Sequence, residues 1–248
     1  MNEEIKLEIC LNSVASAVAA QRGGADRVEL CDNLFEGGTT PSSGMVQVVR
    51  ERIDIGLQVI IRPRGGDFVY SDDEYAVMEA DIRRAKELGA DGVVFGILRP
   101  DGSVDADRNG CLRELAYPLS ATFHRAFDVT PDSHAALDHI VDLGFDRILT
   151  SGQSPTVWEG VCLIRELVEI AANRIIIMPG GDLRDDTLRR CREETGAREF
   201  HMLVDEELPS AANFHRDVPM GGALRPPETV LHVTDSARVR KGKESLAK

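Results

Sequence analysis

The chain has 248 residues, 42% hydrophobic and 29% charged, and its 42 acidic residues outnumber 29 basic ones for a net charge of −13. A single-domain barrel of eight strand–helix units typically needs ~250 residues, which is 31 per unit here. The acidic balance argues against a nucleic-acid partner, which would need a basic face for phosphates. No apolar run approaches the ~20 residues of a membrane span. The opening MNEEIKLEIC lacks the charged-then-apolar order of a signal peptide. Five scattered cysteines do not form a secreted disulfide framework, and they point to a reducing cytoplasm.

In chain order, eight short apolar or alternating runs read as strands, at 7–11, 27–31, 57–62, 92–97, 121–127, 147–150, 174–178 and 199–203. Helical periodicity fills the gaps between them. After the third run, Tyr75, Met78, Ile82 and Ala85 recur at three- and four-residue steps. Ser71 with Glu74 gives a capping box there, and Gly89 a left-handed stop. Thr156 with Glu159 opens another helix, with Val161, Ile164, Leu167, Val168 and Ala171 at its apolar positions. The strings GADRV at 24, GADGV at 89, GFDRI at 144 and GAREF at 196 each end a predicted helix and open an even-numbered strand. Such even pacing, with no reversal signal, predicts a closed parallel (β/α)8 TIM barrel, one domain over residues 1–248. No GxGxxG follows the first strand, so no nucleotide cofactor is indicated. Prolines and glycines mark 205–230 as a long loop. Residues 235–248 read as a C-terminal helix or a solvated tail.

Alternate residues of a strand share a face. Glu8, Cys10 and Asn12 share one on the first strand, and Glu29 and Cys31 on the second. Ile60, Arg62 and Arg64 align on the third, Thr122, His124, Ala126 and Asp128 on the fifth, and Glu199 and His201 on the eighth. The opposite, apolar faces must meet the helices, so these charged faces turn into the barrel, where Val, Ile and Leu are usual. Unpaired charges there cost several kcal/mol each. They therefore neutralise one another as a buried network, or they line a site at the C-terminal strand ends, where this fold carries its active sites. In the second reading Arg62, Arg64 and Arg125 hold a small anion. Amides of Gly180 and Gly181 could cradle it, though such pairs also make plain tight turns. Glu8, Glu29, His124 and His201 form the candidate catalytic set, with His124 also able to polarise the ligand. No HExxH, CxxC or GxSxG motif is present.

Cys10 and Cys31 sit near the ends of predicted adjacent strands and face the same way. Strands lie ~4.8 Å apart, and a linear two-thiolate ion with ~2.3 Å bonds needs sulfurs ~4.5 Å apart. Two soft thiolates suit copper(I); the competing reading is a pair of small buried hydrophobic cysteines. Cys111, Cys162 and Cys191 fall in predicted helices and read as packing residues.

LEICLNS at 7–13, GGADRVELC at 23–31, EGGTTPS at 36–42, IIRPRGGDFVYSD at 61–73, TFHRAFD at 122–128, ILTSGQ at 148–153 and EFH at 199–201 together resemble the CutC family of copper homeostasis proteins. MGGAL at 220–224 and HVTD at 232–235 extend the resemblance over nearly the whole chain. It implies an eight-stranded parallel barrel, a cytoplasmic location, self-association as a homo-oligomer (dimer or tetramer), and copper(I) held by Cys10 and Cys31. It assigns no reaction, so a copper(I)-binding protein and a barrel enzyme acting on a small anionic metabolite both remain open. Two departures fall where a phosphate would sit in a phosphate-binding barrel. Asp182 follows Gly180–Gly181 where the family usually has a third glycine, and Met202 and Leu203 replace the small residues usual after the last strand's histidine. Both speak against phosphate binding there.

Overall fold

The four glycine strings close their helices as their sequence predicts. Gly24, Gly89, Gly144 and Gly196 have φ of 88°, 80°, 75° and 72°, a left-handed conformation that glycine adopts without strain. The computed structural model describes residues 5–214, 216 and 229–247. Its eight parallel strands are β1 (Lys6–Leu11), β2 (Arg27–Leu30), β3 (Gly56–Ile60), β4 (Gly92–Phe95), β5 (Ser120–Phe123), β6 (Arg147–Thr150), β7 (Ile176–Pro179) and β8 (Glu199–Leu203). The helices are α1 (Val14–Gly23), α2 (Ser43–Arg50), α3 (Asp72–Glu87), α4 (Ala106–Ala116), α5 (Ser133–Asp142), α6 (Val157–Ala171), α7 (Leu188–Thr195) and α8 (Ser236–Leu246). Strand follows helix around a (β/α)8 barrel ordered β7-β6-β5-β4-β3-β2-β1-β8. None of the described helices is long and apolar enough to cross a membrane.

The aspartate two residues after each of the first three glycines stitches neighbouring strands. Asp26, Asp91 and Asp146 accept the backbone N–H of Leu7, Leu57 and Ala121 at 2.6, 2.8 and 2.8 Å. Their own N–H groups donate to the carbonyls of the same three residues. Each string thus locks an even strand to the odd strand before it at the barrel floor. In the fourth string Arg198 stands at the aspartate position, and there β7 and β8 share only an isolated parallel bridge between Gly180 and His201.

Leu7, Ile9, Leu11, Val28 and Leu30 turn outward and are buried with Ala17 and Ala20 of α1 in one continuous core. The capping box forms with both halves, Ser71 taking the Glu74 N–H and Glu74 the Ser71 N–H. Several strands stop earlier than their apolar runs imply. β3 ends at Ile60, and Pro63, which lacks an N–H for a ladder, follows Arg62. β5 ends at Phe123, and residues Arg125–Val129 coil as a 3-10 turn. The expected alignment of Ala126 and Asp128 with His124 is thereby broken; Asp128 instead accepts the Ser151 and Gln153 amides at 3.1 Å.

Where 205–230 is expected to be a loop, its ends are strands. Residues Asp205–Pro209 (β9) pair antiparallel with Val230–Thr234 (β10), Asp205 opposite Thr234. Residues 217–228, with the MGGAL string, lie outside the described residues. The C-terminal segment is a helix: α8 packs Val239 against Gly23 of α1, and Lys243 donates to the Ile5 carbonyl at 3.1 Å.

Asp146→Ala removes the acceptor from the fully buried Ala121 amide. We expect a loss of about 1–3 kcal/mol in urea unfolding. A midpoint unchanged from wild type would show that the aspartate does not stitch the strands.

Candidate functional site

The inward faces carry a chain of buried charge from the floor of the barrel to its mouth. Glu199 at the start of β8 accepts from Arg27 Nη2 and, at 2.8 Å, from Arg147 Nε. Arg27 Nε donates to one oxygen of Glu8. The other Glu8 oxygen lies 2.7 Å from Nδ1 of His201, whose Nε2 is 3.6 Å from Glu29. Burial disfavours the Glu8 charge, but Arg27 and His201 outweigh it and hold that carboxyl well below the usual range. The buried network thus forms with Arg27, Arg147 and His201 as the partners of Glu8 and Glu199, and no ion pair joins Arg62 to it among the described residues. Neither arginine stands out in the sequence, although Arg27 shares the strand face of Glu29 and Cys31.

The β1–β2 register sets Cys10 opposite Glu29, and Cys31 follows one residue beyond β2. The two sulfurs are 3.8 Å apart, on residues 9% and 2% exposed. Cys10, Glu29 and Cys31 offer ligand atoms that all lie within 4.8 Å of one another. A hydrogen bond from the Cys31 thiol draws the Cys10 pKa down to about 5 against burial, with help from His201. The same bond pushes the Cys31 thiol well up. Burial, and then the Cys10 charge, raises Glu29 to about 8. Burial works against a charged His201, yet its bonds to Cys10 and Glu8 raise it well above the usual imidazole value. The site thus favours a thiolate at Cys10 beside a charged His201, keeps the proton on Cys31 and holds the Glu29 carboxyl above its usual range.

A cavity of about 350 Å³ opens at the C-terminal strand ends, lined by Cys10, Glu29, His201, Arg62, Phe68 and His124 among others. Arg62 spends both ends of its guanidinium on backbone carbonyls. Nη1 donates to Glu36 and Gly38 at 2.7 and 2.8 Å, and Nη2 to Gly66 at 2.9 Å. It thereby ties the loop after β2 to the loop after β3. Its guanidinium lies 5.2 Å over the Phe68 ring, which packs 4.8 Å from the His124 ring. Gly96 leaves the room His124 needs, since a Cβ there would meet Nδ1 at 2.9 Å. That Nδ1 accepts the Ala126 N–H at 3.3 Å. Burial, then the Arg62 charge, lowers His124 to about 3 and keeps it neutral.

The remaining candidates separate. Arg125 lines the cavity but is held by Asp128 at 2.7 Å and by Ser151. Arg64 is not among the lining residues; it faces Asp67 at 3.0 Å, Glu74 and the Val69 carbonyl. Gly180 serves the β7–β8 bridge and Gly181 packs beside Ser151, and neither lines the cavity. Glu8 also lies off the lining, behind His201. Cys191 is buried as expected, but Cys111 and Cys162 are exposed rather than packed. Phe68, which sequence reasoning missed, stands in the IRPRGGDF string as its one aromatic residue.

A parallel barrel with paired thiols at its mouth defines the class of protein, and comparison narrows it. The CutC family profile matches residues 5–205. The copper homeostasis protein cutC homolog of Homo sapiens is 51% identical over 235 residues, covering 94% of this chain and 86% of that protein. A family protein CutC of Bacteroides fragilis is 47% identical over 241 residues, 96% of each. The chain belongs to the CutC family. The crystal structure of the putative copper homeostasis protein CutC from Streptococcus agalactiae superposes with a TM-score of 0.76 at 40% identity, over 79% of this chain and 97% of that one. Thiamine phosphate pyrophosphorylase from Pyrococcus furiosus, at 16% identity and a TM-score of 0.59, shares the fold alone.

Because His124 has a folded pKa of about 3 against an ordinary 6.5, the unfolded chain binds the extra proton between those values. Stability must fall as pH drops through that window. We expect His124→Gln to lose less unfolding free energy than wild type between pH 6.5 and 4. Parallel curves would show that His124 is not held neutral in the fold.

Proposed function

We propose that this barrel binds copper(I) through Cys10 and Cys31. The observation that carries the reading is a pair of buried thiols 3.8 Å apart at the mouth of a cavity. Soft sulfur donors favour a soft monovalent ion over hard cations. With bonds of ~2.3 Å, sulfurs at this separation subtend about 110° at an ion, nearer a three-coordinate than a linear arrangement. Glu29 stands within the same cluster as an oxygen donor. The two sulfurs would otherwise have to part by about 0.7 Å to reach the linear spacing. His201, oriented through Nδ1 by Glu8, lowers the cost of the Cys10 thiolate and keeps it ready as a ligand. The names of the human and bacterial relatives support a place in copper homeostasis. A reducing cytoplasm would keep both thiols free. The same reading includes a homo-oligomer, supported by a groove that Phe35, Leu203 and Leu231 line together while exposed by 64%, 48% and 53%.

A second reading, a barrel enzyme acting on a small anionic metabolite, is favoured by one observation. Among the described residues no carboxylate pairs with the buried guanidinium of Arg62, although that side chain lines the cavity.

In a competition titration against a copper(I) chelator under reducing conditions, Cys10→Ser and Cys31→Ser should each lower affinity at least about a hundredfold, since one of two thiolate ligands is lost. Unchanged affinity in both would refute the reading. Cys31 stays protonated through neutrality, so binding must displace its proton. Affinity should then rise about tenfold per pH unit between pH 6 and 7 with the two sulfurs as sole ligands, and more steeply where Glu29 also gives up its proton to coordinate; a flat profile would show that Cys31 is not a ligand.

A further inference from the structure

Cys10 stands beside a histidine that a buried carboxylate holds in place. The β1–β8 register sets His201 opposite Glu8, and Cys10 follows two residues later on the same strand face. One ring therefore reaches both. Nδ1 of His201 lies 2.7 Å from Glu8. With Nδ1 committed, Nε2 is the nitrogen left to face Cys10 and Glu29, and the ring makes a side-chain hydrogen bond with the Cys10 sulfur. Glu8 is fixed from behind by Arg27.

Cys10 and His201 both line the 350 Å³ cavity, so a molecule in it meets the sulfur and the ring together. Glu8 is 1% exposed and stays behind them. A nucleophile in contact with a base, and that base oriented by a third group, is the arrangement that covalent catalysis requires. A copper(I) ligand needs the sulfur but not a base beside it in an open cavity. The rest of the lining includes Ile60, Phe68 and Leu149, which offer an apolar surface to whatever part of the molecule is not reacting.

We propose that Cys10, His201 and Glu8 form a triad that hydrolyses the thioester of a short, uncharged acyl group. The Cys10 thiolate attacks the carbonyl carbon, and a new C–S bond forms as the bond to the leaving thiol breaks. The leaving sulfur takes the proton from Nε2 of His201. Water then gives a proton to that nitrogen as its oxygen bonds the acyl carbon, and the Cys10 thiolate departs from the carboxylic acid product. Cys10 and His201 are the catalytic residues. Glu8 touches neither the substrate nor the sulfur and is a positioning residue, keeping the ring turned toward Cys10. A thioester suits this nucleophile because one thiolate displaces another of similar basicity. The cavity volume suits a compact acyl chain. The triad goes beyond the copper(I) reading and is independent of it: an ion on Cys10 would occupy the nucleophile, so the reaction belongs to the metal-free protein.

The test uses reduced, metal-free protein with S-acetyl-N-acetylcysteamine as the thioester. It is run in a Cys111→Ser/Cys162→Ser background, which removes the two exposed thiols. Acetate release is followed by NMR, and the acetylated residue is located by peptide mass mapping after an acid quench. We expect the acetyl group on Cys10 and steady release of acetate. Cys10→Ser should abolish both. His201→Gln, verified as folded by its melting curve, should slow turnover at least about a hundredfold, as loss of a general acid–base does. Glu8→Gln should lower kcat about tenfold or more and keep KM within about twofold, the mark of lost positioning rather than lost binding. Should Glu8→Gln not fold, His201→Gln decides alone. No acetylation of Cys10, an acetyl-Cys10 that releases no acetate, or an undiminished rate in His201→Gln would overturn the assignment. Each of these failures leaves the copper(I) reading to its own titration.

Discussion

Arg27 lies between Glu8 and Glu199 in the middle of the barrel, and the arrangement above it follows from that placement. A barrel interior of low dielectric tolerates charge only in compensated sets. Two carboxylates meet two guanidiniums here, Arg27 and Arg147, so Glu8 stays ionised at any ordinary pH. An ionised Glu8 fixes the ring of His201 through Nδ1 and favours its protonated form. The imidazolium in turn sits by Cys10 and stabilises its thiolate. Removing Arg27 alone would leave Glu8 to His201 and Glu199 to Arg147, and breaking comparable buried pairs costs about 3–5 kcal/mol. The chemistry at the mouth is thus supported by ion pairs whose residues, Glu8 and Arg27, stand two and four positions before the cysteines along the same strands.

The mouth itself combines two unlike walls. One, from β8, β1 and β2, is soft and acidic: two thiols and a carboxyl, with an imidazolium. The other, from the ends of β3 and β5, carries the buried guanidinium of Arg62 and the neutral ring of His124. Arg62 links them mechanically, because its hydrogen bonds to Glu36 and Gly38 hold the loop that runs on from Cys31. A Cβ at Gly38 would meet the Cys31 sulfur at 3.2 Å, so that loop also sets the space around the second thiol. Metal binding at the thiols would therefore act on a loop that Arg62 also holds.

The barrel was legible because the apolar run repeats eight times and the glycine stop four times, and a repeated signal survives local ambiguity. The thiol pair was legible for a related reason: alternation along two neighbouring strands leaves little freedom for Cys10 and Cys31. What escaped depends on contacts between units. Arg27 and Arg147 read as ordinary basic residues until Glu8 and Glu199 are seen across the barrel. Arg64 looked equivalent to Arg62, but Pro63 turns the chain and sends Arg64 to Asp67 and Glu74 on the surface. The β9–β10 pair was hidden because the prolines and glycines between its strands outweighed the β-branched pattern of Val230–Thr234. Exposure of Cys111 and Cys162 turned on helix phase, which short amphipathic segments specify weakly.

The central claim is that copper(I), when supplied, is held by the sulfurs of Cys10 and Cys31. Copper K-edge X-ray absorption on protein loaded anaerobically with one equivalent tests it directly. The account predicts two sulfur scatterers at ~2.3 Å, falling to one in Cys31→Ser. A first shell of nitrogen and oxygen alone, or an unaltered sulfur count in that variant, would contradict it.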